Sequence, residues 1–113
     1  MTPCELLICA EDAMVNSYSP YSGFSVGAAL ITADGRVYKG CNIENSAFSP
    51  TICAERTAFF KAISEGENDF EAIAIVGKYK NGEYKHLCYP CGVCRQVMEE
   101  LHITKENPII LNL

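Results

Sequence analysis

The sequence has 113 residues, 49% of them apolar and 20% charged, which suits one folded domain and is too short for two. A net charge of −5 with nine scattered Lys and Arg argues against a nucleic-acid polymer as partner, since phosphate backbones select clustered cations. No run nears the roughly 18 apolar residues of a membrane helix. Met1 to Glu5 carries no basic segment ahead of its apolar run, so a secretory signal is not expected and the cytoplasm is the expected location.

The first predicted element is a helix from Pro3 to Ser17, with Leu6, Ala10, Ala13, Met14 and Ser17 on one face. A turn-rich loop, Tyr18 to Gly23, follows it. Phe24–Thr32 and Arg36–Asn42 are predicted strands joined by an Asp34-Gly35 hairpin turn. Ile43 to Ile52 is a polar loop. A second helix is expected over Cys53–Glu65, burying Ala54, Ala58, Phe59, Ala62 and Ile63 and ending at Gly66.

Ala72 to Val76 is a continuous apolar run, as for a strand covered on both faces. Asn81-Gly82 is placed to turn that strand back through Glu83 to Leu87. Gly92–Leu101 is a third predicted helix and Pro108–Leu111 a last strand. The order α-β-β-α-β-α-β gives an α/β fold, a three-layer α/β/α sandwich with a mixed sheet, formed by a single domain over residues 1–113. Ligands in such folds gather where strands feed helices.

Seven cysteines are an odd number without a secretory context, which favours metal binding or reduced thiols over disulfides. Cys4, Cys9 and Cys41 are expected to be buried small hydrophobes. Cys91 and Cys94, three apart in a first helical turn, share a face and can chelate one ion. Cys53 opens the other helix and can supply a third ligand, because helix N-termini favour thiolate over thiol. Three protein ligands leave a fourth tetrahedral position for water, the mark of a catalytic zinc site.

Glu55 lies two residues past Cys53, awkward as a second ligand but placed to exchange protons with that water. Its bland alternative is a favourable charge in a first helical turn. Arg56 can hydrogen-bond the thiolates and offset their excess negative charge, which otherwise weakens the metal's acidifying power; the alternative is a solvated arginine. Cys88 could close the site as a fourth thiolate, which would make it structural, but it falls in the extended segment before Pro90, off the shared helical face. His86 and His102 stand at no ligand spacing to the cysteines.

Cys53-Ala54-Glu55-Arg56 together with Pro90-Cys91-Gly92-Val93-Cys94 resembles the zinc deaminase motif pair in its all-cysteine form. Pro20 to Leu30 and Gly40 to Ala47 extend the likeness to the small homotetrameric cytidine deaminases, over almost the whole chain.

That resemblance implies hydrolytic deamination of cytidine and deoxycytidine to the uracil nucleosides in pyrimidine salvage. It implies one Zn²⁺ per chain on Cys53, Cys91 and Cys94, with Glu55 as the catalytic proton carrier. Phe24 would stack on the pyrimidine, Asn42 and Glu44 would bind the sugar hydroxyl, and the Ala54 backbone would meet the base edge. Core packing for Phe24 and loop stabilisation for Asn42 and Glu44 are the alternatives. Phe48 resembles a residue that reaches a neighbouring subunit's site, although core packing suits it too.

Two departures from the family pattern stand out: Cys88 replaces a usual apolar residue, and relatives continue past Leu113 with a segment carrying an aromatic toward a neighbour's pocket. Rival functions are deamination of a blasticidin-type nucleoside and a non-catalytic zinc-folded module; Glu55, and Asn42 with Glu44, favour the nucleoside enzyme.

Overall fold

A computed structural model describes residues 2–47, 50–79, 85–86 and 109–111. Helix α1 spans Pro3–Ala13 and starts in a capping box. The Thr2 hydroxyl accepts from the Glu5 amide at 3.2 Å, and the Glu5 carboxylate accepts from the Thr2 amide at 3.4 Å. The helix is shorter than the predicted Pro3–Ser17. Its last turn tightens to a 3-10 turn over Met14–Asn16, and Ser17 leaves the helix to donate its hydroxyl to Asn42 Oδ1. A tertiary hydrogen bond has outcompeted one more helical turn.

Strand β1 (Phe24–Thr32) pairs antiparallel with β2 (Val37–Cys41) on one side and with β3 (Phe70–Tyr79) on the other. The Asp34-Gly35 turn forms as expected, with Gly35 at φ +91 and its amide bonded to Thr32 O. β3 is twice the predicted five-residue run, because pairing along β1 extends it beyond its apolar centre. Its other edge takes β4 (Lys85–His86), antiparallel, and β5 (Ile109–Leu111), parallel, so the sheet is mixed. Among the described residues the order is α-β-β-α-β-β-β, with the chain turned back at β4 as Asn81-Gly82 suggested. The predicted helix Gly92–Leu101 lies outside the described residues.

Helix α2 (Ala54–Ser64) covers the face of the sheet opposite α1, which makes the three layers. Period-2 alternation divides the strands between the two faces. Ala28, Leu30, Ile73 and Ile75 pack under α2 with Ala54, Ala58, Phe59, Ala62 and Phe70. Ala29, Ile31, Ala72, Ala74 and Val76 pack under Leu6 and Ala10 of α1. Phe59 is fully buried, edge-to-face with Phe70 at 5.4 Å, and such burial stabilises by roughly 2–3 kcal/mol. Gly66, at φ +93, caps α2 as expected.

Four burial expectations fail. Ile63 stays 40% exposed, since Ala58, Phe59 and Ala62 already fill the inward arc of α2. Cys4 is exposed in the first turn of α1, Cys9 is half-buried against the core from the middle of that helix, and Cys41 is half-buried at the end of β2. Burial pushes the Cys41 thiol pKa up, with Lys61 opposing.

Candidate active site

The site assembles where three chain segments meet beyond the sheet. Tyr18 bridges Ile43 in parallel, and Ile43 bridges Ile52 in antiparallel fashion through amide–carbonyl bonds of 3.0 and 2.9 Å. This short ladder sets the loop after α1, the segment after β2 and the entry to α2 side by side. Tyr18 N–H donates to Asn42 O at 3.1 Å and Glu44 N–H to Tyr18 O at 2.8 Å, which locks the first two together.

Cys53 is the N-cap of α2, extended at φ −80 and ψ 156, and half-buried. The boundary differs by one residue from the predicted Cys53–Glu65, and the difference suits the chemistry. A thiol at the N-cap faces the positive end of the helix dipole, where thiolate is favoured. Arg56 Nη2 lies 3.6 Å from Cys53 Sγ and 3.5 Å from Thr51 O, so the guanidinium reaches the sulfur from one turn along.

Glu55 is only 4% exposed, one of three buried polar residues among those described. Carboxylates are rarely so enclosed without a purpose that repays their desolvation. Thr57 holds this turn to the sheet: its hydroxyl lies 3.0 Å from Cys41 O and 3.2 Å from Cys53 O. Gly40 permits the contact, since a Cβ there would fall 2.5 Å from Ala54 O and 2.6 Å from Ala58 N. Neither Thr57 nor Gly40 was singled out from the sequence, although a glycine inside a strand is itself a signal of close backbone approach.

On the other side of the ladder, Asn42 Oδ1 accepts from Val26 N–H at 2.9 Å and from the Ser17 hydroxyl, while its Nδ2 donates to Phe24 O at 2.9 Å. Glu44 Oε1 accepts from the Tyr21 and Ser22 amides at 3.0 and 3.1 Å. Both side chains therefore organise the loops around them. The Asn42 amide nitrogen carries a second hydrogen beyond the one it gives to Phe24 O. Phe24 is half-buried, against Tyr79 at 4.9 Å and 61°.

Of the predicted site residues, Phe24, Asn42, Glu44, Cys53, Ala54, Glu55 and Arg56 come together at this end of the sheet. Phe48, Cys88, Cys91 and Cys94 lie outside the described residues.

The family model for the cytidine and deoxycytidylate deaminase zinc-binding region matches residues 2–107. The chain belongs to this family. The cytidine deaminase of Sporosarcina psychrophila is 51% identical over 85% of this chain and 67% of its own length. That of Halalkalibacterium halodurans is 53% identical over 81% and 66% respectively. The chain thus spans about two thirds of these curated relatives. Among solved structures, a cytidine deaminase from Burkholderia pseudomallei superposes with a TM-score of 0.83 at 43% identity, covering 99% of this chain and 85% of its own. One from Mycobacterium tuberculosis superposes at 0.77 with 39% identity, covering 88% and 77%.

Zinc is accordingly the cofactor of this family's fold. The described part of the site fits it: a half-buried cysteine at a helix N-cap, with a guanidinium nitrogen 3.6 Å from its sulfur, is a donor prepared for ligation as thiolate. No helix among the described residues is long and apolar enough to cross a membrane.

Proposed function

We propose that the protein hydrolyses cytidine and deoxycytidine to uridine and deoxyuridine with release of ammonia. The observation that carries this is the buried carboxyl of Glu55, two residues past the N-cap Cys53, in a zinc-binding deaminase family. Cys53, Cys91 and Cys94 hold one Zn²⁺ per chain. When bound, the metal supplies Lewis acidity that makes water a usable nucleophile at neutral pH.

Glu55 takes a proton from the attacking water as its oxygen bonds to C4 of the base, and delivers that proton to ring N3. It then moves the remaining hydroxyl proton to the exocyclic nitrogen, the C4–N bond breaks, and ammonia leaves. Cytidine plus water thus become uridine plus ammonia, with Glu55 regenerated. Burial suits this role, since a low-dielectric pocket strengthens each charge–dipole interaction and keeps bulk water from competing for the proton.

Phe24 stacks on the base, Asn42 and Glu44 read the sugar, and the Ala54 backbone meets the base edge. Arg56 offsets thiolate charge, in keeping with its approach to Cys53. The chain acts as one deaminase domain in a cytoplasmic homotetramer, to which Phe48 contributes across a subunit boundary.

An ultraviolet assay on purified protein of known zinc content tests this. Cytidine and deoxycytidine should turn over; free cytosine, lacking the sugar, and CMP, whose phosphate meets Glu44 and a chain of net charge −5, should react poorly. CMP turnover equal to that of cytidine would point to a nucleotide enzyme. Zinc-loaded protein inert toward every one of them would overturn the assignment.

A further inference from the structure

Ser22 belongs to the Tyr18–Gly23 loop, where its sequence context marks it only as a turn former. The turn is closed by Gly23 N–H on Ser19 O at 3.0 Å, with Gly23 at φ +69. Within it, the Ser22 hydroxyl makes two bonds to residues of different segments. It accepts from Phe24 N–H at 3.0 Å, and it donates to Glu44 Oε2 at 2.5 Å. A hydroxyl has one proton to give, and here it goes to the carboxylate. The Tyr21 and Ser22 amides occupy Oε1, so both oxygens of Glu44 are held by one turn.

Three donors on its two oxygens fix the plane of the carboxylate. The same oxygen that orients Oε2 also anchors the backbone that carries the Phe24 ring. Phe24 and Glu44 are 20 positions apart in sequence, and Ser22 is one side chain that bonds to both.

We propose that Ser22 is a positioning residue that fixes the base-stacking ring of Phe24 and the sugar-reading carboxylate of Glu44 relative to each other, and so sets nucleoside affinity. It rests on the assignment of Phe24 and Glu44 to substrate in the deaminase reading. Ser22 touches none of the reacting atoms, which lie with Glu55, so its contribution is to binding and not to proton transfer. Removing the hydroxyl leaves the two amides on Oε1 but takes away one bond to Oε2 and one to the Phe24 amide.

The test compares wild type, Ser22→Ala and Ser22→Thr as full-length, zinc-quantified protein. For Ser22→Ala, the KM for cytidine should rise roughly ten- to a hundred-and-fifty-fold, the range for a lost hydrogen bond to a charged group, while kcat changes by less than about threefold. Uridine, which does not react, should bind more weakly by the same factor. Ser22→Thr keeps the hydroxyl on an exposed turn with space for a methyl and should restore both values.

Cytidine analogues lacking one ribose hydroxyl at a time sharpen the readout: the Ser22→Ala penalty should shrink for the analogue that lacks the hydroxyl read by Glu44. An unchanged KM and uridine affinity, a fall in kcat alone, or failure of Thr to rescue would each overturn the role of Ser22 while leaving the deaminase intact. Zinc-loaded wild type that leaves cytidine unreacted overturns the deaminase reading and the role of Ser22 together.

Discussion

The first turn of α2 and the loops across from it are built on opposite plans. At the helix start, Cys53, Glu55 and Arg56 are consecutive or nearly so, and a single helical geometry sets their spacing. In the facing loops, each link that defines the surface joins distant positions: Ser17 to Asn42, Ser22 to Glu44, Asn42 to Phe24 and Val26. The contrast has a physical basis. Proton transfer tolerates little positional error, and a helix N-terminus supplies a rigid frame with a favourable dipole. Recognition of a flexible nucleoside needs donors and acceptors on several sides, which no single element can present.

This division predicts how each region fails. The largest effect belongs to the helix start. Glu55→Gln preserves volume and the thiolates, so zinc should remain at full stoichiometry while turnover falls by about a thousand- to ten-thousand-fold or more, the upper range for general acid–base catalysis. Metal analysis alongside the cytidine assay checks it, and more than about a tenth of wild-type turnover would remove Glu55 from the proton path. The Ser22→Ala variant makes the opposite split, with KM moved and kcat kept.

An intermediate effect comes from beneath the helix. Gly40→Ala forces a Cβ to within 2.5 Å of Ala54 O, and backbone cannot yield as a side-chain tip does. Overpacking of this kind costs about 1–3 kcal/mol, and denaturant unfolding should register it. Because the displaced turn carries Cys53, zinc should also be lost more readily to a chelator. If Asn42 and Glu44 read the sugar as proposed, the ratio of cytidine to deoxycytidine turnover should hold, since Asn42 is tied to β1 through Phe24 and Val26. A changed ratio with normal zinc retention would mean that the two regions are coupled.

The smallest effect is expected at an exposed ion pair on the outer edge of the sheet. Lys39 Nζ meets Asp12 Oδ2 at 2.7 Å on an exposed surface, and Asp12 raises the lysine pKa above its usual 10.5. A raised lysine pKa contributes stability below 10.5 that disappears as pH rises through the folded value. Exposed pairs contribute little, so Asp12→Asn should barely move the unfolding midpoint at pH 7 and should match wild type once Lys39 is deprotonated. Turnover should be unchanged. A clear loss of activity would tie this edge to the site.

Local pattern made much of the fold legible. The Asp34-Gly35 hairpin, the stop at Gly66, the buried run at Ala72–Val76 and a last strand ending at Leu111 all follow from turn chemistry and apolar periodicity. Boundaries moved where tertiary contacts intervened. Ser17 left its helix for Asn42, and β3 lengthened because β1 offered partners to nine of its ten residues. Ile63 and Cys4 fit an apolar pattern yet remained exposed, since periodicity identifies a face but not how wide an arc of it the neighbouring layer covers.

For the candidate site, sequence alone determined that a cysteine, a carboxylate and a guanidinium share one helix start, because fixed offsets need only helical geometry to be juxtaposed. Tertiary structure alone decided what holds them in place. Gly40 admits the turn against β2, Thr57 tethers it to Cys41, and Ser22 joins Phe24 to Glu44. The reason is that helical spacing is a property of consecutive residues, whereas a strand–helix approach or a hydroxyl shared between two loops exists only once distant segments have packed.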